Sequence, residues 1–215
     1  MKKFYFLLVL VLLSSTAVFS QGATVGKLVR HDAKNLSFGF KAGLNMADVA
    51  DEISRLGNFR YGVVVGAFGT HKISPIFRVS AEILYSQQGS DFGPDLDYLN
   101  IPLLLSYNVT KTGFNIYTGV QTGFFLSSNV DFGDKIGSHN TNDLFESIDF
   151  AIPFGVSYEL YNGLLFDLRL NWGLVGVSSG DAFRVRYGGG SYDYFDYHPP
   201  KGKNFVLQLS LGYRL

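Results

Sequence analysis

The sequence predicts an all-β protein, an eight-stranded antiparallel up-and-down β-barrel that spans a membrane. Three observations carry this. Apolar residues recur at every second position in eight runs between Leu36 and Leu215, and no run has helical spacing. The connections between runs alternate long and short, the habit of outer-membrane barrels with short periplasmic turns and long outer loops. The chain is also poor in charge, at 17% against about 25% in ordinary soluble domains, while aromatics reach 16% and glycines number 25.

The first twenty residues stand apart from this pattern. Lys2 and Lys3 precede an unbroken apolar run from Phe4 to Leu13, and a Ser/Ala-rich stretch ends at Ser20 before Gln21. That is the layout of a secretory signal peptide, and the apolar run falls short of the ~20 residues of a spanning helix. Residues 1–20 are therefore expected to be a signal peptide, and 21–35 a polar periplasmic lead. No cysteine follows the run to carry a lipid anchor, and none elsewhere offers a disulfide. Without Lys2 and Lys3 the balance is 16 basic residues against 18 acidic. A near-neutral chain with no basic tract gives no electrostatic case for nucleic acid.

The runs follow in order. LSFGFKAGLNM sets Leu36, Phe38, Phe40, Ala42, Leu44 and Met46 on one face. RYGVVVGAFGTH aligns Tyr61, Val63, Val65 and Ala67, and FRVSAEILYSQQG aligns Phe77, Val79, Ala81, Ile83 and Tyr85. In DYLNIPLLLSYNV, Leu99, Ile101, Leu103, Leu105 and Tyr107 share a face opposite Asn100, Leu104, Ser106 and Asn108. GFNIYTGVQTGFFLS, SIDFAIPFGVSYEL, GLLFDLRLNWGL and NFVLQLSLGYRL repeat the pattern to the end of the chain. Pro102 and Pro153 interrupt two runs. A proline cannot donate to a ladder and a closed barrel has no edge, so a local bulge is expected at each.

Alternation suits a soluble, lipocalin-like barrel with a hydrophobic ligand as well as a membrane barrel. Lipid contact is favoured by runs of 11–15 residues, against a usual 5–6 in soluble strands. The apolar face carries little polarity beyond Thr118 and Thr122, and its aromatics gather toward run ends, as in interfacial girdles. The opposite face is small and polar, which suits a narrow lumen filled by side chains. On it, Lys41, Arg78, Glu82, Asp167 and Arg169 are expected to pair as one internal network, since buried charges need partners. A transport pathway is the competing reading of the same charges. The segment FRVRYGGGSYDY suggests a hairpin around Gly188–Gly190, either a ribbon above the membrane or a ninth and tenth strand.

The segments FGFKAGLNMAD, ISPIFRVSAEILYSQQG, YLNIPLLLSYNVTKTGFNIYTGVQTGFFLS, YELYNGLLFDLRLNWGL and FVLQLSLGYRL resemble the PorT-like outer-membrane β-barrel family of Bacteroidetes. The resemblance covers residues 36–215. Asn100 stands where that family often has Glu, and the chain ends Tyr213-Arg214-Leu215 rather than in Phe. It implies an eight-stranded barrel in the Gram-negative outer membrane, and for the founding member a link to a secretion system.

No H-E-x-x-H or Cys/His ligand set is present, and no catalytic residue, cofactor or metal is expected. A site assembled from loop residues such as Asp181, Asp196 and His198, giving a lipid or peptide hydrolase or transferase, is the enzymatic alternative. The last long loop gathers Arg184, Arg186, Tyr187, Tyr192, Tyr194, Phe195 and Tyr197 among glycines. Tyrosine gives amphipathic contact area at low entropic cost, so this loop is the expected recognition element, unless its tyrosines pack on one another or on the rim. Expected partners are outer-membrane lipid and an extracellular protein or glycan, or a secretion-machinery component, with the barrel monomeric. Its role would be structural, adhesive or secretion-accessory, and its lumen closed.

Overall fold

A computed structural model describes residues 35–50, 57, 59–91, 95–109, 112–131, 138–140, 142–178, 183–186, 194–197 and 202–215. The strands are β1 (Leu36–Ala50), β2 (Arg60–Lys72), β3 (Phe77–Gly89), β4 (Asp95–Asn108), β5 (Phe114–Asp131), β6 (Ser138–Asn140), β7 (Ile148–Glu159), β8 (Leu164–Gly176), β9 (Phe183–Arg186), β10 (Tyr194–Tyr197) and β11 (Lys203–Arg214). Eight of them, β1–β5, β7, β8 and β11, pair antiparallel with their neighbours, and β1 meets β11 to close the barrel. The short β6 adds to the outer end of β5. The pair β9–β10 is a separate two-stranded sheet, so the barrel has eight strands and not ten. The expected signal peptide and nearly all of the periplasmic lead lie outside the described residues.

Short turns close one end. In the turn between β2 and β3, the Ser74 hydroxyl accepts from the Phe77 N–H at 3.0 Å. Between β7 and β8, the Asn162 side chain accepts from Leu164 N–H at 3.1 Å, and Gly163 takes φ 90°, which a side chain would strain. The opposite end carries the long connections.

Side chains divide as the alternation demands. Leu103, Leu105, Ile116, Val120, Phe154, Leu168 and Leu209 point outward and exposed, while Asn100, Leu104, Ser106, Gln121 and Asp167 are buried in the lumen. Near the short turns, Phe77 packs edge-on against Tyr107 and Phe114 tilts against Tyr158, an aromatic belt at that rim. A barrel of this kind is polar within and apolar without, the inverse of a soluble barrel that holds a hydrophobic ligand.

The expected bulges at Pro102 and Pro153 are absent. Between β3 and β4 the pairs Ala81↔Leu103 and Leu84↔Asn100 keep one register across Pro102, with only the intervening two positions unpaired. Between β5 and β7, Thr118↔Phe154 and Gln121↔Ala151 do the same across Pro153. The other neighbour of each proline stays paired, as Pro102↔Gln121 and Pro153↔Asn171. A missing donor costs one hydrogen bond, whereas a register shift would turn every later side chain to the wrong face. The shifts that do occur lie at the outer ends, at Asp97/Tyr98 in β4 and at Lys203/Phe205 in β11.

Candidate functional site

The lumen holds two clusters of buried charge at different depths. In the deeper one, Glu82 of β3 and Arg169 of β8 meet from opposite walls, four strands apart in either direction around the ring of eight. Arg169 donates to both Glu82 oxygens at 2.9 Å, the two-pronged geometry that makes guanidinium–carboxylate pairs strong. Lys41 of β1 donates to Glu82 at 3.0 Å and to Asp167 at 3.4 Å. The Tyr117 hydroxyl donates to Asp167 at 2.6 Å and accepts from Arg169 Nε at 3.0 Å. With the Ser210 hydroxyl of β11 donating to Asp167 at 3.3 Å, five strands contribute to one bonded layer. Gly155 makes it possible, because a Cβ there would lie 2.3 Å from the Tyr117 ring.

Arg78 does not join that layer. It pairs with Glu159 at 3.1 Å, nearer the short turns, where Arg214 also approaches Glu159 at 2.8 Å. Arg214 donates to the Ser37 hydroxyl at 2.6 Å. The Phe68 ring lies between the clusters, with Lys41 Nζ 5.8 Å and Arg214 Cζ 5.6 Å from its centroid. The five residues expected to form a single network therefore divide into Lys41, Glu82, Asp167 and Arg169 on one level and Arg78 on another. Alternation alone puts Glu159 and Arg214 on the polar faces of their runs without giving them partners, and the expected network omitted Tyr117. An aromatic on the otherwise small, polar face of its run was the available sign.

Above these layers the lumen ends in an apolar cap. Val49, Leu96, Tyr98, Leu144, Phe145 and Val177 form a buried cluster with Phe125 against it. A 3-10 turn over Asn142–Leu144 brings in its middle part, anchored by the Asn142 side chain accepting from Ser128 N–H at 2.7 Å. Glu146 N–H bonds the Val177 carbonyl at 3.0 Å, tying the β5–β7 connection to the end of β8. These residues sit at the ends of runs or in connections, where periodicity gives no sign of them.

Of the expected recognition residues, Arg184 and Arg186 fall in β9, and Tyr194, Phe195 and Tyr197 in β10. The register sets Arg186 against Tyr194 and Arg184 against Asp196. Tyr187 and Tyr192 lie outside the described residues, as do Asp181 and His198 of the enzymatic alternative. Among the described residues, no group of three or more His, Cys, Asp or Glu side chains is placed to hold a metal ion.

A family model described as outer membrane protein beta-barrel domain matches residues 19–179, about three quarters of the chain. The chain belongs to that family. The match ends before β11, the strand that closes this outer-membrane barrel. No curated protein matches it. Among solved structures it is similar to Neisserial surface protein A, at 15% identity over 86% of this chain and 99% of that one, with a TM-score of 0.42. It is also similar to the attachment invasion locus protein Ail of Yersinia pestis, at 12% identity over 85% and 100%, TM-score 0.44. A third is OprG of Pseudomonas aeruginosa, at 14% identity over 88% and 98%, TM-score 0.46. The eight-stranded closure rests on the strand pairing itself, to which these likenesses add no argument.

Proposed function

We propose that this outer-membrane barrel is a non-conducting, non-catalytic surface protein that binds an extracellular protein or glycan, or a secretion-machinery component, through its long outer loops. The observation that carries this is the Glu82–Arg169 pair, which bridges opposite walls of the lumen beneath an apolar cluster. The charged groups gathered by the fold pair with one another inside the barrel, away from the surface. Function is then left to the outer connections, the longest of which joins β8 to β11 and contains the β9–β10 ribbon. Ail is described as an attachment invasion protein, which is compatible with an adhesive role here. The finer assignment to the PorT-like group, and export by a signal peptide over residues 1–20, belong to this reading and rest on the sequence.

The test compares cells carrying the full chain with cells carrying a variant that lacks residues 183–197, both shown to keep the folded barrel by heat-modifiable gel migration. Loss of adherence to immobilised proteins or glycans, or of a crosslinked partner, is expected. Unchanged adherence together with an unchanged set of crosslinked partners would refute the assignment to this loop.

A further inference from the structure

Between the Arg169 layer and the apolar cap, four neighbouring strands line the lumen with buried oxygens that accept no hydrogen bond. They are Gln121 Oε1 on β5, Asp149 Oδ1 on β7, Asn171 Oδ1 on β8 and Asn204 Oδ1 on β11. The register gathers them around two small residues, since Gln121 pairs with Ala151 and Ala151 with Gly173. A Cβ on Gly173 would lie 2.5 Å from the backbone oxygen of Asn204. Asp149, one inward-facing position farther out than Ala151, reaches across to Asn204 and accepts from its Nδ2 at 3.1 Å. That bond leaves Asn204 Oδ1 as the free end of the amide. The Tyr98 hydroxyl is also buried without a partner. Tyr98 and Asp149 flank Gly123, whose Cβ would lie 3.4 Å from the one and 3.5 Å from the other. Buried polar groups left unpaired in a native interior mark a place for water or an ion.

Asp149 decides between the two. Glu82, Asp167 and Glu159 each have a Lys or Arg partner. The side-chain partner of Asp149 is a neutral amide, and no described Lys, Arg or His pairs with it. The undescribed parts of the outer connections hold Asp51, Glu52, Asp134, Asp181 and Asp193 against Arg55, Lys135 and Lys201, so they bring no net positive charge to that end. An ionised carboxylate buried without a counter-charge is costly, and a water molecule does not supply one. One carboxylate beside neutral amide oxygens matches a single positive charge. A calcium site would gather several carboxylates, and among the described residues no group of three is placed to hold a metal. Alkali-metal ions are held by oxygen dipoles that replace their hydration shell.

We propose that Asp149 and Asn204 hold one monovalent alkali-metal cation beneath the apolar cap, taken up as the barrel folds. Asp149 Oδ1 supplies the counter-charge and Asn204 Oδ1 a neutral ligand. Tyr98, Gln121, Asn171 and water complete its shell.

The wild-type barrel, refolded in detergent in each salt, tests this in two ways. The unfolding temperature is expected to rise saturably with sodium or potassium chloride and not with choline chloride at equal ionic strength, since choline is too large to enter. Crystals grown in thallium(I) nitrate in place of the alkali salt are expected to show an anomalous peak beside Asp149. Equal stability in all three chlorides, or an absent peak, overturns the proposal and leaves water or a protonated Asp149. Asp149→Asn removes the charge at almost unchanged shape, and its unfolding temperature should no longer depend on the cation. Asn204→Leu, which removes the neutral ligand and keeps Asp149, should weaken that dependence. Alkali-cation dependence that persists in a folded Asp149→Asn protein places the ion elsewhere and refutes the site. If neither variant folds, the salt series and the thallium peak in the wild-type protein decide the matter alone.

Discussion

Arg169 and Glu82 stand on opposite walls of the barrel and are joined by two hydrogen bonds of 2.9 Å. A side chain from one wall therefore reaches its partner on the other, and the lumen is crossed at that depth.

Removing one member leaves the other buried with too few partners. Arg169→Ala should destabilise the folded barrel by about 3–5 kcal/mol, the usual cost of breaking a buried pair from one side. The double variant Glu82→Met/Arg169→Met should recover much of that loss, because neither charge is then stranded. Urea unfolding in lipid vesicles measures both, and a double variant no more stable than Arg169→Ala would contradict this account.

The same crossing predicts electrical silence. Wild-type protein in planar lipid bilayers should give no stepwise ion currents. Reproducible single-channel steps from purified folded protein would show that the crossed lumen opens, and would revive the transport reading.

Gly155 should tolerate no side chain. A methyl group there would lie 2.3 Å from the Tyr117 ring, whose hydroxyl links Asp167 to Arg169. Gly155→Ala should cost about 1–3 kcal/mol, the range for overpacking a filled interior. Tyr117→Phe, which keeps the ring and removes the hydroxyl, isolates the hydrogen-bond share of that cost.

Leu103 is more than half exposed on the outer face, midway along β4. If that face meets lipid, Leu103→Arg should cost about 2–4 kcal/mol in a bilayer. A change within about 0.5 kcal/mol, the range of an ordinary water-facing substitution, would mean that this face meets water.

Pro102 pairs normally with Gln121 on the β5 side and leaves its β3 side without a donor. Pro102→Val restores an N–H where the strand already runs in register. The expected gain is about 1 kcal/mol, the net worth of one hydrogen bond. A loss of stability would show that the proline's rigidity outweighs the bond.

The contrast between Pro102 and Arg78 shows how far the sequence reaches. Parity along a strand is written in the residues themselves, so Arg78, Glu82, Arg169 and Arg214 could all be assigned to the lumen. Depth is not written there. It follows from the stagger between strands, which brings Arg78 to Glu159 and leaves Glu82 to Arg169 and Lys41. At Pro102 a local rule suggested a bulge, and the cooperative demand of the whole strand to keep its leucines outward prevailed. The cap was invisible for a third reason: Leu144, Phe145 and Val177 lie in connections, where no period marks which apolar residues turn inward.

That cap also constrains assembly. Its members come from the ends of β1 and β4, from β5, from the β5–β7 connection and from the residue after β8, so it condenses only once those segments have crossed to the outer side. Once its apolar side chains are buried together, drawing any one hairpin back toward the periplasm must first return that surface to water. The cluster therefore opposes withdrawal of any one of these hairpins from the inserted barrel.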